Sequence, residues 1–189
     1  LDEQTFAPAL CNRIDKNTSG MVITAKNAQA LRVMNQMIKE RQITKKYLCV
    51  VCGVPSKKSA ELTGYLVRNE SKKEVIVSKT PLKGAKSIKT KYRILSTRKD
   101  ISLLEVDLLT GRTHQIRAHM AFIGHPLLGD GKYGVNKINK EFGFKYQTLC
   151  AYYLKFDFEC GAEELEYLKG REFKIKDIDF VKLFGYKIT

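Results

Sequence analysis

Apolar positions along this chain follow two rhythms, one of three to four residues and one of two. Between Asn27 and Gln42, Leu31, Met34 and Ile38 share a stripe while Arg32, Gln36, Lys39 and Glu40 point elsewhere. That spacing predicts a core-packing helix from about Ala28 to Gln42, with Asn27 as its cap. A second stripe, Ile116, Met120 and Ile123, predicts a helix from about Thr113 to Ile123, closed by Gly124 as C-cap and by His125-Pro126.

The shorter rhythm covers most of the rest. Thr44–Gly53 reads as a strand in which Lys45-Lys46-Tyr47 leads into the apolar Leu48–Val51. Gly64–Arg68 and Lys73–Val77 are short strands around a basic, polar turn, Asn69–Lys72. Ala85–Leu95 and Ile101–Leu109 flank the turn Ser96–Asp100 as a β-hairpin. Its first strand alternates Ser87, Lys89, Lys91 and Arg93 with Ile88, Thr90, Tyr92 and Ile94, which gives it one wet, basic face. In the second, Leu104, Val106 and Leu108 alternate with Glu105, Asp107 and Leu109. Thr148–Phe158 and Phe173–Ile175 are further strands, with a poorly patterned stretch between them. Ile178–Phe184 is a short helix opened by the cap candidate Asp177. Strands outnumber helices and pair as hairpins, with no internal repeat. The expectation is a single α+β domain over residues 1–189, built on a largely antiparallel mixed β-sheet flanked by helices.

Composition narrows the class. With 189 residues, 43% hydrophobic and 29% charged, the chain can bury a proper core. No apolar run approaches the roughly 20 residues that span a bilayer, and no signal-peptide pattern opens the chain. It begins at Leu1, as a fragment of a longer protein would. The formal charge is +14, from 34 Lys and Arg against 20 Asp and Glu spread along the chain, which favours a polyanionic partner. Nucleic acid ranks above a membrane surface, because no basic amphipathic helix stands out. Cys11, Cys49, Cys52, Cys150 and Cys160 read as reduced, mostly buried thiols of a cytoplasmic protein. Cys49-Val-Val-Cys52 has neither a second pair nor a nearby His, so no metal site is assigned.

Two clusters carry candidate chemistry. In Leu10–Gly20, Asp15 stands between Arg13 and Lys16, followed by the turn Asn17-Thr18-Ser19-Gly20 and the apolar run Met21–Ala25. A polar loop before a buried strand can mount a catalytic acid or nucleophile. It can equally be a capped turn, with Asn17 and Ser19 bonding the backbone and Gly20 supplying a positive φ. In Gly111–His119, Arg112 and Thr113 lie at a helix entrance, and His114 and Arg117 are one turn apart. Two arginines there suit a phosphate or a buried carboxylate, which guanidinium holds bidentately, or they are surface ion-pair residues. The histidine spacings miss the i, i+4 pattern of a zinc helix. Gly129-Asp-Gly131-Lys-Tyr-Gly134 matches GxGxxG but follows a helix and a His-Pro break, so it is read as a loop needing flexible backbone and not as a nucleotide site.

Together, Asn12-Arg-Ile-Asp-Lys-Asn-Thr-Ser-Gly20, the Lys-Lys-Tyr-Leu around Tyr47, and Gly111-Arg-Thr-His-Gln-Ile-Arg-Ala-His119 with the following Ile-Gly-His-Pro-Leu-Leu-Gly-Asp resemble the RluA-type family of RNA pseudouridine synthases. The motifs stand in family order across Asn12–Tyr133, and Thr148–Phe158 matches more loosely. The resemblance implies a pseudouridine synthase fold with a catalytic cleft across the sheet. It implies Asp15 as catalytic carboxylate, Tyr47 stacking on the target base and Arg117 pairing with Asp15. Arg13, Arg112, His114 and Gln115 come with the same motifs as RNA-binding candidates, and the basic face at Lys89, Lys91 and Arg93 is a candidate RNA track. Two positions depart from the pattern. Ile14 replaces the usual Leu at little cost, and Asn12 replaces a common His, which leaves a supporting contact to be identified. Family members often carry a small N-terminal RNA-binding domain, and nothing in this sequence corresponds to it.

The implied activity is isomerisation of uridine to pseudouridine in structured RNA by a monomer needing no cofactor, metal or nucleotide. Large-subunit ribosomal RNA is the expected substrate and transfer RNA the second. Such a reaction requires a carboxylate near sugar or base and a uridine flipped out of its stack. Competing expectations are a catalytically silent RNA-binding module, which has no use for Asp15, Tyr47 and Arg117 together, and a phosphate-handling enzyme, for which no Walker-type loop or acidic metal set is present.

Overall fold

A continuous apolar run needs cover on both sides, and the strand carrying Leu48–Val51 is where the fold supplies it. The structure is a computed structural model describing residues 6–69, 71, 74–159 and 161–189. In chain order the elements are β1 (Ala9–Leu10), β2 (Ser19–Gly20), β3 (Thr24–Ala25), α1 (Ala28–Lys39), β4 (Ile43–Cys52), β5 (Ser59–Asn69), β6 (Glu74–Ser78), β7 (Lys86–Arg98), β8 (Ile101–Leu108), α2 (Gln115–Phe122), α3 (Asn136–Glu141), β9 (Leu149–Phe156), β10 (Glu172–Lys174) and α4 (Asp179–Lys182). A 3-10 helix, Glu163–Leu168, precedes β10.

Eight strands form one sheet in the order β10-β9-β4-β8-β7-β5-β6, with β2 added alongside β9. Every pairing is antiparallel except β2 with β9, so the sheet is mixed and largely antiparallel, as the hairpin pattern predicts. On one face of β4, Tyr47, Cys49 and Val51 join Leu104, Val106 and Tyr92 under Ile116 and Met120 of α2. Farther along that face, Ile43 joins Leu154 and Phe156 under Val33, Met34 and Met37 of α1. On the reverse face, Leu48, Val50 and Cys52 meet Ile178, Phe180 and Val181 of the C-terminal segment. Cys49 and Cys52 therefore lie in different cores and do not form a two-thiol site. Cys11, Cys49, Cys52 and Cys150 are free, and Cys160 lies outside the described residues.

Several boundaries differ from expectation. Asn27 caps α1 as expected, its Oδ1 accepting the Ala30 N–H at 2.7 Å, but the helix ends at Lys39. Its buried stripe is Ala30, Val33, Met34 and Met37, with Leu31 and Ile38 on the flanks. β5 begins at Ser59, because Ala60 and Leu62 continue its inward face and pair with β7. The β7–β8 turn tightens to Lys99-Asp100, with Lys99 in the left-handed region. Of the turn Asn69–Lys72 and the strand start Lys73, residues 70, 72 and 73 lie outside the described residues. Asp177 does not cap α4. Ile178 holds that position and Asp177 pairs with Lys182 at 2.8 Å. Met21–Ala25 is not one buried strand, since only Thr24–Ala25 is extended, paired with β1.

Gly20 is the tightest joint in this frame. With φ at 118°, it lies so close to β9 that an added Cβ would run into the backbone N and O of Ala151. Gly20→Ala is expected to lower unfolding free energy by on the order of 2 kcal/mol or more, through strain and displacement of β2. A urea midpoint equal to wild type would show that this contact is not tight in solution.

Candidate active site

Asp15 is carried by the loop between β1 and β2. The turn closes where Thr18 N donates to Asp15 O at 3.0 Å, and Asn17 takes a φ of 65°, which asparagine tolerates. Distant residues fix the loop. Gln147 Nε2 donates to Lys16 O at 2.6 Å and to Thr18 Oγ1 at 3.2 Å, and Ser19 Oγ donates to Leu149 O at 3.2 Å. Asn12 Oδ1 accepts the Ile23 N–H at 2.8 Å, tying the two stems of the loop together. That is the supporting contact at the position where a His is usual.

The loop faces a cleft of about 450 Å³ between the end of α1 and the start of α2. Among the described residues, Asp15 is the one carboxylate in its lining, which includes Arg13, Lys39, Arg41, Lys45, Tyr47 and Arg112. Burial first, and the charge of Asp15 second, push the Tyr47 phenol above the ordinary tyrosine value. At neutral pH it is a neutral ring on the cleft floor, suited to stacking and not to accepting a proton.

Arg117 is the hinge of the site. Its Nε and Nη2 donate to Asp130 Oδ2 and Oδ1 at 2.7 and 2.9 Å, while Nη1 stands 4.0 Å from Asp15 Oδ2. The Arg117 and Asp130 side chains are 8% and 0% exposed, against 19% for Asp15, so the buried fork belongs to Asp130 and Asp15 keeps access to the cleft. Burial alone would lower the pKa of Arg117, but hydrogen bonding and charge from Asp130, then charge from Asp15, reverse that. Burial would likewise raise Asp130, yet hydrogen bonds from Arg117 and from the Tyr133 N–H hold it below the usual carboxylate range. Lys132 N and Tyr133 N donate to Asp130 Oδ1 at 2.8 and 3.0 Å.

The Tyr133 ring covers the guanidinium, with Arg117 Cζ 5.2 Å from the ring centroid. Its hydroxyl accepts the Val75 N–H at 3.0 Å and lies 2.9 Å from His114 Nδ1. Burial, then the Arg117 charge, lower the pKa of His114, so a neutral imidazole accepting from Tyr133 fits this geometry. The loop holding Asp130 and Tyr133 is tightly packed, which corrects its reading as flexible backbone. A Cβ on Gly129 would strike Tyr146 O, and one on Gly134 would strike Asp130 O. α3 follows directly, its Asn139 Oδ1 accepting the Gly129 N–H at 2.7 Å.

The structure brings Arg13 and Arg112 to the cleft, both exposed. His114 sits at the cap position of α2 with φ 54°, so that helix starts at Gln115. Gln115 is 2% exposed. Its Oε1 accepts from Thr110 Oγ1 and Arg112 N, and its Nε2 donates to Lys89 O and Thr90 Oγ1. It therefore braces the loop that presents Arg112. Lys89 and Lys91 are exposed on the reverse face of the sheet. Tyr92, Val106 and Tyr47 form one cross-strand row facing α2, and the next row, Lys91, Asp107 and Lys46, faces away.

Asp130, Tyr133 and Gln147 were not singled out in the sequence. The signal for Asp130 was present: an acid between two glycines beside an apolar pair, in a chain with an arginine on a helix face that needed a partner. Asp130→Ala leaves a buried guanidinium with Asp15 as its nearest acid, and about 3 kcal/mol or more of stability is expected to go. Because the folded-state pKa of Asp130 is depressed, its contribution is present above about pH 4 and lost as pH falls through the depressed value. Urea midpoints measured from about pH 6 down to pH 2 should fall more steeply for wild type than for Asp130→Asn. Parallel curves would contradict this pairing.

Three comparisons bear on the arrangement. The family model described as RNA pseudouridylate synthase matches residues 1–122. Among curated proteins, the chain is 36% identical over 160 residues to the uncharacterized RNA pseudouridine synthase YlyB of Bacillus subtilis, covering 85% of this chain and 51% of that protein. It is 34% identical over 166 residues to ribosomal large subunit pseudouridine synthase D of Borreliella burgdorferi, covering 87% of this chain and 49% of that one. The chain thus spans about half the length of the curated relatives it matches. Human RNA Pseudouridylate Synthase Domain Containing 1 superposes with a TM-score of 0.72 at 25% identity, over 94% of this chain and 79% of that one.

Proposed function

Because this chain belongs to the RNA pseudouridylate synthase family, we propose that it converts uridine to pseudouridine in RNA, with Asp15 as the reacting carboxylate. The observation that carries the assignment is the one accessible carboxylate that the described residues place in a cation-lined cleft, facing a guanidinium that a second, buried carboxylate holds still. The reaction breaks the N1–C1′ bond of uridine, turns the base and forms C5–C1′. The C5 hydrogen leaves as a proton and N1 gains one, so atoms and electrons balance without an oxidant. Attack on the sugar, attack on the ring and elimination all place a carboxylate oxygen at the reacting nucleoside, and Asp15 Oδ1 and Oδ2 supply it.

The remaining residues position and bind. Arg117 carries a permanent charge whose third nitrogen is aimed at Asp15, and Asp130 absorbs the other two. Tyr47 gives the flipped uracil a neutral face, worth about 1–3 kcal/mol per stacked base. Arg13 and Arg112 suit the backbone phosphates at the rim, and His114 and Gln115 act through Tyr133 and Arg112. Large-subunit ribosomal RNA is the proposed substrate, since relatives such as the Borreliella burgdorferi protein are named for it.

Asp15→Asn keeps size and fold while removing the charge. It is expected to bind large-subunit ribosomal RNA within about threefold of wild type, while pseudouridine formation falls by a factor of about 10⁴ or more. Pseudouridine is to be quantified by mass spectrometry of digested RNA. Wild-type rates in the mutant would remove Asp15 from the chemistry, and activity confined to transfer RNA would move the substrate while leaving the mechanism.

A further inference from the structure

The cleft holds more positive charge than one reacting nucleoside uses. Besides Arg13 and Arg112, its wall at the end of α1 carries Lys39, Arg41 and Lys45. Lys45 lies half-buried on the same face of β4 as Tyr47, two residues and therefore about 7 Å along the strand. Its ammonium has no hydrogen-bond or ion-pair partner among the described residues. Its pKa is lowered by burial, then by the neighbouring charge of Arg41. Arg41 sits where α1 ends in a Schellman arrangement, with Arg41 N–H to Ile38 O at 3.4 Å and Gln42 N–H to Met37 O at 3.0 Å. The left-handed position of that motif, here φ 63°, is one that glycine fills more cheaply. In this chain it puts a guanidinium on the cleft rim.

Two adjacent cations that no acid of the described residues pairs with repel each other, and a neutral base between them would leave both uncompensated. An oxyanion relieves the repulsion and the desolvation of Lys45 together. Their displacement from Tyr47 separates them from the reacting base, and the exposed Arg41 leaves the path open for a continuing chain. We infer that Arg41 and Lys45 form a phosphodiester subsite for the backbone group next to the target nucleoside, with Lys39 extending the track along α1. This rests on the reading of the cleft as a uridine site in RNA.

The test compares wild type, Arg41→Gly, Lys45→Met and Lys99→Gly for binding to unmodified large-subunit ribosomal RNA across a salt series. Lys99 is the matched control. It too is a left-handed cation, φ 50°, but at the β7–β8 turn, the end of the sheet away from the cleft. Arg41→Gly and Lys45→Met are expected to unfold at or above the wild-type temperature, with Lys45→Gln as a second variant should the Met form fail to fold. Each should lose about five- to tenfold in affinity at low salt and flatten the log K against log salt slope by about 0.7–0.9, while Lys99→Gly keeps the wild-type slope. Slope changes no larger than those of Lys99→Gly overturn the subsite. Pseudouridine measured in parallel separates the two readings. Product with unchanged slopes in the cleft variants overturns the subsite alone. Flattened slopes without product from wild type support the subsite and overturn the reaction. Absence of RNA binding by wild type overturns both.

Discussion

Arg117 and Asp130 are the pair on which the site depends. Either charge alone in that position would be a large uncompensated desolvation cost, so each requires the other. Satisfying both draws together elements far apart in the chain. α2 supplies the arginine, the loop before α3 supplies the carboxylate and two backbone donors, and Tyr133 of that loop spans from the guanidinium to β6. With two of its nitrogens bound to Asp130, Arg117 is left with one direction in which to act, toward Asp15. The buried pair thus fixes the one guanidinium nitrogen that faces Asp15.

The second constraint is the central strand. β4 is covered on one face by α1 and α2 and on the other by the C-terminal segment, so its position is over-determined. Tyr47 and Lys45 inherit that rigidity, and the Asp15 loop inherits it through β9, to which Gly20, Ser19 and Met21 are bonded. Asp15 therefore sits on a loop, but one fixed at both stems and along its length. A rigid frame of this kind is the arrangement that favours preorganised charge.

Much of this was readable in the sequence, for definite reasons. Alternation in Ser87–Ile94 and the run Leu48–Val51 reported one-sided and two-sided burial directly, and the largely antiparallel sheet followed. Asp15, Tyr47 and Arg117 stand out because their motifs pack polar residues densely into short stretches; Asp15 and Tyr47 line one cleft, and the buried Arg117 reaches within 4.0 Å of Asp15. What could not be read is what depends on contacts between distant segments. Arg117 needed a partner, but whether that was Asp15 or Asp130 is decided by a loop whose glycines look flexible until Tyr146 and Asp130 backbone are seen against them. Lys89 and Lys91 show a basic face by alternation, yet alternation does not say which face carries the helices. Arg41 was not singled out in the sequence, and the left-handed turn after α1 is what brings it to the cleft.

The most direct test of the central claim uses the hydrogen that the reaction must release. Isomerisation puts C1′ on C5, so RNA carrying tritium at uracil C5 gives up one tritium to water for each pseudouridine made. Large-subunit ribosomal RNA labelled in this way, incubated with an excess of the wild-type chain, should release tritium in step with pseudouridine appearing at a small number of defined uridines. Tight binding of the same RNA with neither tritium release nor pseudouridine would contradict the account.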